Sequence, residues 1–441
     1  MFEFSAKTRE KELQSSSGQA FDVLVIGGGI IGAGVANTLS QAGISVILVD
    51  MGDFASGTSS GSSKLIHGGL RYLAQGRFRL TRNLLKERNY LMRKTDLVKP
   101  IDFDILIGPG MFGRFEIRIG LMLYRILGGG KHSAYIKNNG VFPDSVKGYY
   151  TYKDCITDDA LLTVTNIVSA HMNGAVCLNY VKYTGSSLIN NESVAKLKDM
   201  VSGHYISIRY RVLVNCAGPW IDDVLGHEKI GDFRLSKGIH LIYPREVYSR
   251  ESAAVVKSKV DGRQMFIIPR GKVVIVGTTD DFVGSPDNWN ITESERDYVI
   301  RSLSFVSAGI SREKIIGEYS GIRTLLGSGN NPGKMSRDFS VIRKDNVFTV
   351  IGGKVTDYRR VSRKTAIFVS RYLKKGRLGS TMPRLDYKPD LNDRVSSAVK
   401  YECALFPDDV VKRRSSVYYF DPESMHLVNE TALKLLNPLN E

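Results

Sequence analysis

Between two short apolar runs, residues 23–26 (VLVI) and 46–49 (VILV), the chain carries Gly27-Gly28-Gly29-Ile30-Ile31-Gly32-Ala33-Gly34, and Asp50 closes the second run. Few folds accept that arrangement. Short runs rich in β-branched residues suit strands buried on both faces, and the stretch 35–42 reads as helix with Gly43 as its stop. The predicted unit is strand, turn, helix, strand. Each glycine has a task within it. Gly27 permits the tight turn, Gly29 lets backbone approach a pyrophosphate, and Gly32 lets helix and strand pack closely. The helix N-terminus favours phosphate charge, and the Asp50 carboxylate accepts hydrogen bonds from ribose hydroxyls. These residues predict a dinucleotide site.

NAD and FAD share this fingerprint, so the next segment has to separate them. Residues 57–64 (GTSSGSSK) form a hydroxyl-rich loop that resumes apolar sequence at Leu65 and leads to His67-Gly68-Gly69-Leu70-Arg71-Tyr72. A second phosphate-facing loop suits a long cofactor held extended, with small residues admitting an isoalloxazine ring. FAD is therefore expected, along Thr58, Ser59, Ser60, Ser62, Ser63, Lys64, Leu65, His67, Gly68 and Gly69. A third buried strand, 212–215, runs into Cys216-Ala217-Gly218-Pro219, and Ala217 and Gly218 join the expected contacts. The run 347–351 ends in Gly352-Gly353 before a predicted helix. There the N–H groups of Gly353, Lys354, Val355 and Thr356 are expected to stabilise negative charge on reduced flavin.

At 441 residues the chain exceeds what one hydrophobic core supports. Short alternating strands at 239–243, 266–269 and 273–278 predict an antiparallel sheet. The expected architecture is mixed α/β: a Rossmann-like FAD-binding domain, an inserted antiparallel-sheet substrate domain and a short helical C-terminal appendage. The expected boundaries are a loose polar arm at 1–20, the FAD-binding domain at 21–235 with its return at 341–380, the substrate-binding domain at 236–340, and the C-terminal segment at 381–441.

Composition excludes several classes. The most apolar stretch is cut by Arg118 and Arg125, so no segment is expected to span a bilayer, and the N-terminus lacks the apolar core of a signal peptide. Cys155, Cys177, Cys216 and Cys403 are widely spaced, which predicts neither metal nor disulfides and suits a reducing cytoplasm. The net charge of +16 fits an anionic substrate and cofactor or an anionic membrane surface. The charges are dispersed, so no nucleic-acid partner is expected.

The strings TSSGSSKLIHGGLRYL, GGGIIGAG, NCAGPW, SGIRTL and GGKVTDYR fall in one order over roughly residues 22–375. Together they resemble the FAD-dependent sn-glycerol-3-phosphate dehydrogenases. Flavin oxidases of amino acids share the first glycine motif and the late Gly-Gly, but not SSKLIHGGLRYL. Three positions depart from the family pattern: Asp50 for glutamate, Thr324 for proline and Asp357 for threonine. The C-terminal region is also shorter than in long bacterial members.

The resemblance implies oxidation of sn-glycerol 3-phosphate to dihydroxyacetone phosphate, with electrons passed to a membrane quinone. It also implies a place on the inner face of the cytoplasmic membrane, through the amphipathic stretch 114–127, and is compatible with a homodimer. Such chemistry needs a base for the hydroxyl proton, a hydride acceptor, and cations for the phosphate. His240 is the expected base, because imidazole accepts a proton near neutrality. Arg323 is the expected catalytic cation. Arg71, Tyr72, Arg337 and Lys354 are expected around the phosphate and the reacting carbon, since an arginine fork reads phosphate bidentately. Three alternatives stay open: an oxidase releasing hydrogen peroxide, a flavin enzyme of another small substrate, and a basic surface-binding protein with a vestigial nucleotide fold.

Overall fold

The computed structural model describes residues 2–226, 231–336, 338–375, 378 and 383–440. Among these, a first sheet of eight strands runs Phe339–Lys344, Val347–Gly352, Tyr205–Asn215, Ala20–Ile26, Val46–Val49, Val176–Leu178. A hairpin, Val181–Ile189 and Glu192–Asp199, is added to Tyr205–Asn215. The five strands from Val347–Gly352 to Val176–Leu178 are parallel, with Val23 opposite Val212 on one side and Val46 on the other.

Both faces of this sheet are covered, which is why its strands read as unbroken apolar runs. Val23, Val25 and Leu48 meet Ala36, Leu39 and Ile167 from helices Ile30–Ser40 and Asp159–Met172. On the opposite face Leu24, Ile47 and Leu213 pack with Leu13, Ala195 and Leu197. Helix Tyr358–Leu373 completes the first layer through Val361, Ala366 and Val369.

Ten strands make the second sheet. A long antiparallel pairing, between Phe233–Pro244 and Gly317–Leu326, sets His240 opposite Tyr319 and Ser236 opposite Arg323. The expected boundary at residue 236 is corrected here. Strands Leu65–Ile66, Val98–Ile107, Ile136–Lys137 and Gly148–Thr157 belong to the second sheet, although they precede that boundary by many residues. They lie far from residue 236 in sequence, and only pairing brings them together.

Two further expectations change. The N-terminal arm is not loose: Ala6–Ser16 is a helix, and Phe4 is fully buried with its ring stacked on His171 at 4.2 Å. The Arg9 guanidinium donates to the Asn179 carbonyl (2.8 Å) and pairs with Asp199 (2.5 Å). A few anchors hold this helix, too few to show in a polar sequence. At the other end, Gly352 and Gly353 both take the left-handed region (φ +79° and +92°), and the helix starts only at Tyr358. The glycine pair is a turn ahead of the helix, so its N–H groups are not the helix's first turn.

Helices Arg394–Tyr401 and Met425–Asn440 pack around Ala398, Val399, Val410 and Ala432. Between them Arg413 and Arg414 reach inward to Asp53, in the loop after strand Val46–Val49. This segment is part of the core's architecture.

Candidate active site

Strand Ala20–Ile26 delivers the chain into the glycine turn, where Gly27 has φ +103°. A Cβ on Gly27 would lie 2.5 Å from the Cys216 carbonyl oxygen, and one on Gly32 would lie 1.9 Å from that of Gly27. Only glycine fits either place. The Gly28 N–H donates to Asp50 Oδ2 at 2.6 Å and the Gly52 N–H to Oδ1 at 2.8 Å. Burial nevertheless pushes the Asp50 carboxyl up to about 6, with the neighbouring Asp53 charge adding to it.

A cavity of about 450 Å³ starts at this turn and ends between the two sheets. Gly27, Gly29 and Asp50 line its first part, followed by Thr58, Ser59, Ser62, Ser63, Leu65 and His67 from the serine loop. Gly69, Ala217 and Gly218 line it as well, as do Gly353, Lys354, Val355 and Thr356. Ser59 Oγ also accepts the N–H of Ile30, the first residue of the helix, at 2.9 Å.

Four expected cofactor residues lie behind the wall instead. Gly32 serves packing, and Ser60 is buried against the Gly57 carbonyl. Lys64 turns inward: its Nζ meets Asp159 Oδ1 at 2.7 Å and the Ser60 carbonyl at 2.8 Å, and sits 3.8 Å above the Tyr419 ring. Gly68 gives its N–H to Asp154 at 3.0 Å under the ring of Tyr124. A lysine in a serine-rich loop reads as a phosphate ligand, whereas here its charge is matched by a buried carboxylate.

At the far end Arg71, Tyr72, Arg323 and Lys354 all line the cavity. Arg323 donates to Asp280 Oδ1 (3.3 Å) and Thr278 Oγ1 (3.2 Å). Arg71 donates to the Gly333 carbonyl at 3.2 Å, and Lys354 Nζ lies 4.9 Å from the centre of the Tyr72 ring. Arg337 lies outside the described residues.

His240 differs from expectation. The residue is 1% exposed, does not line the cavity, and places Nε2 2.9 Å from Ser63 Oγ, which does. Its ring stacks on Tyr319 at 4.7 Å, because the two residues face each other across the strand pair. Nδ1 is buried and has no hydrogen-bond partner among the described residues. Burial, then the charges of Arg323 and Lys64, hold the imidazole well below its ordinary range and favour its neutral form.

Sequence reasoning missed several wall residues: Arg263, Gln264 and Phe266 from strand Gln264–Arg270 and its approach, and Thr278, Thr279 and Asp280 after strand Val273–Gly277. The alternating pattern revealed these strands, but gave no sign of which ends face the cavity. Trp220 also lines it, stacked on Trp289 at 5.8 Å and donating from Nε1 to Asp287 at 2.9 Å. The site combines a dinucleotide turn, a hydroxyl-lined channel and converging cations. That set can bind a dinucleotide and hold a small anion beside it.

The family described as FAD dependent oxidoreductase matches residues 22–354. Aerobic glycerol-3-phosphate dehydrogenase of Staphylococcus haemolyticus (strain JCSC1435) is 33% identical over 393 residues, 84% of this chain and 71% of that protein. The same-named protein of Staphylococcus aureus (strain USA300) is 34% identical, covering 83% of this chain and 70% of that one. The fold resembles the X-ray structure of glycerol-3-phosphate dehydrogenase from Bacillus halodurans complexed with FAD: TM-score 0.78, 24% identity, 98% of this chain and 93% of that one. It also resembles L-α-glycerophosphate oxidase from Mycoplasma pneumoniae with FAD bound, at TM-score 0.65 and 16% identity, over 84% of this chain and 99% of that one.

Proposed function

The chain belongs to the FAD-dependent oxidoreductases, among the glycerol-3-phosphate dehydrogenases, and from that premise we propose that it oxidises sn-glycerol 3-phosphate to dihydroxyacetone phosphate. The observation that carries this reading is the cavity itself. One end is a turn that only glycine fits, beside the Asp50 carboxyl, and the other gathers Arg71, Arg323 and Lys354. The residues fit FAD: Gly27, Gly29 and Asp50 would hold the adenosine and pyrophosphate portion, and the serine loop with the Gly353–Thr356 turn the remainder. When bound, FAD supplies the hydride acceptor.

This chain's own residues do the rest. Arginine forks read phosphate oxygens bidentately, so Arg71 and Arg323 bind the anionic end, with Lys354 as a point charge. Asp280 and Thr278 fix the direction of the Arg323 guanidinium. Neutral His240 serves as the proton acceptor, since a charged imidazole has no vacant nitrogen. Stacking on Tyr319 fixes its ring.

The electron acceptor in this reading is a membrane quinone. In support, helix Arg114–Tyr124 and the turn after it expose Phe115, Ile119, Met122 and Ile126 beside Arg114, Arg118 and Arg125. No helix among the described residues is long and apolar enough to cross a membrane. An apolar face rimmed by arginines suits a surface-lying helix on anionic lipid.

Anaerobic addition of sn-glycerol 3-phosphate to purified holoprotein should bleach the visible flavin band, and glycerol should not. Bleaching by an amino acid or a hydroxy acid, with no response to the phosphate ester, would sink the substrate assignment.

A further inference from the structure

The proton acceptor in the reading above has no surface in the cavity. His240 is pinned: its ring lies over Tyr319 on one side, and a Cβ on Gly277 would come within 2.7 Å of its Cδ2 on the other. Reaching substrate directly would mean leaving that slot. Between His240 and the cavity stands Ser63, whose Oγ is 2.9 Å from Nε2.

The Ser63 loop is held as firmly as the imidazole. Thr58 Oγ1 donates to the Ile322 carbonyl at 2.5 Å, and Tyr319 Oη donates to the Ser62 carbonyl at 3.1 Å. Gly61 lies so close to the same strand that a Cβ there would be 2.3 Å from the Ser320 carbonyl oxygen. Strand Gly317–Leu326 therefore positions both partners, through Tyr319 against the ring and through Ser320 and Ile322 against the loop. A hydroxyl both donates and accepts, which a relay requires.

We propose that Ser63 is a catalytic residue that carries the substrate hydroxyl proton to His240, and not a cofactor ligand. This rests on the assignment of His240 as proton acceptor in an alcohol oxidation. As the carbinol C–H bond breaks and its hydrogen leaves with the electron pair to the two-electron acceptor of this family, the substrate O–H proton passes to Ser63 Oγ. The Ser63 proton passes to His240 Nε2, and the C–O bond becomes C=O. The imidazolium returns its proton through Ser63 to water once product has left. Burial, with the charges of Arg323 and Lys64, favours a neutral imidazole at rest, so Nε2 can accept and the proton does not stay.

The test measures anaerobic flavin reduction in Ser63→Ala, His240→Ala and the double variant, with flavin content checked by absorbance. Both single variants should lose about 10²–10⁴ in the reduction rate with little change in substrate affinity. The double variant should be no slower than the slower single one, because both act on one proton path. Ser63→Thr, which keeps the hydroxyl, should recover most of the rate. A second readout uses cofactor-free protein with ¹⁵N-labelled histidine: Ser63→Ala should shift the His240 Nε2 resonance. A normal rate in Ser63→Ala with a slow His240→Ala overturns the relay and leaves the base in place. Normal reduction in His240→Ala removes the base, and the relay with it. Additive losses, or Ser63→Ala protein that cannot retain flavin, return Ser63 to the cofactor.

Discussion

Asp50 is a carboxyl that burial raises to about 6 in the ligand-free chain. Its fold-stabilising contribution is complete below the ordinary carboxyl range and is lost as pH rises through 6, when the group must ionise. Ribose hydroxyls donating to it favour the ionised form, so FAD should bind more tightly as pH rises from 5 to 7, by at most about tenfold per unit. Titrating apoprotein with FAD across that range checks this, and Asp50→Asn should flatten the profile. A profile that slopes the other way would mean that Asp50 binds FAD protonated. At Gly29, a Cβ would already stand 3.0 Å from Ser59 Oγ at the cavity wall. Gly29→Val should therefore give folded, colourless protein, and a yellow, active variant would refute that placement. Both residues were legible in the sequence, because turn geometry acts over a few positions. Lys64 and His240 were read with the right neighbours and the wrong surroundings. Their partners, Asp159 and Ser63, are 95 and 177 residues away, and nothing local marks them.

Among the elements, the segment after residue 400 shows most clearly how far function lies from its motifs. Arg414 donates to both Asp53 oxygens at 2.7 and 2.8 Å, and Arg413 Nε to one at 2.6 Å, all in the interior. Burial alone would raise the Asp53 carboxyl, but Arg414 and Arg413 outweigh it and hold it at about 2. Asp53 lies three residues after Asp50, so this cluster fastens the loop that begins at Asp50. Breaking one side of a buried pair typically costs about 3–5 kcal/mol. Arg414→Met should lower the urea midpoint clearly and loosen FAD, and Arg414→Lys should recover only part of both, having no fork. An unchanged midpoint would show that Arg413 alone suffices. The strand–helix–strand unit was readable because its periodicity is local. The second sheet was readable only in part: 239–283 alternates visibly, whereas Val98–Ile107 and Gly148–Thr157 acquire their meaning from pairing with each other and with distant strands.

For the whole molecule, charge and shape act together. The net charge of +16 provides long-range attraction to anionic surfaces, and the arginines of the exposed helix sit beside side chains that can enter a headgroup layer. Each such cation contributes about 1 kcal/mol near an anionic membrane, and salt screens it. The protein should float with anionic vesicles at low salt, separate at high salt, and ignore neutral vesicles. Phe115→Glu with Met122→Glu should abolish flotation while flavin content stays normal. Flotation that survives this pair would place the attaching face elsewhere. The stacked Trp220 and Trp289 have an optical consequence. They are the chain's two tryptophans, and one of them is cavity wall. All indole emission therefore originates at the cavity wall or next to it, within energy-transfer range of a flavin held in the cavity. The protein should be bright without its cofactor and dark with it, making a cuvette and an ultraviolet lamp enough to count loaded sites.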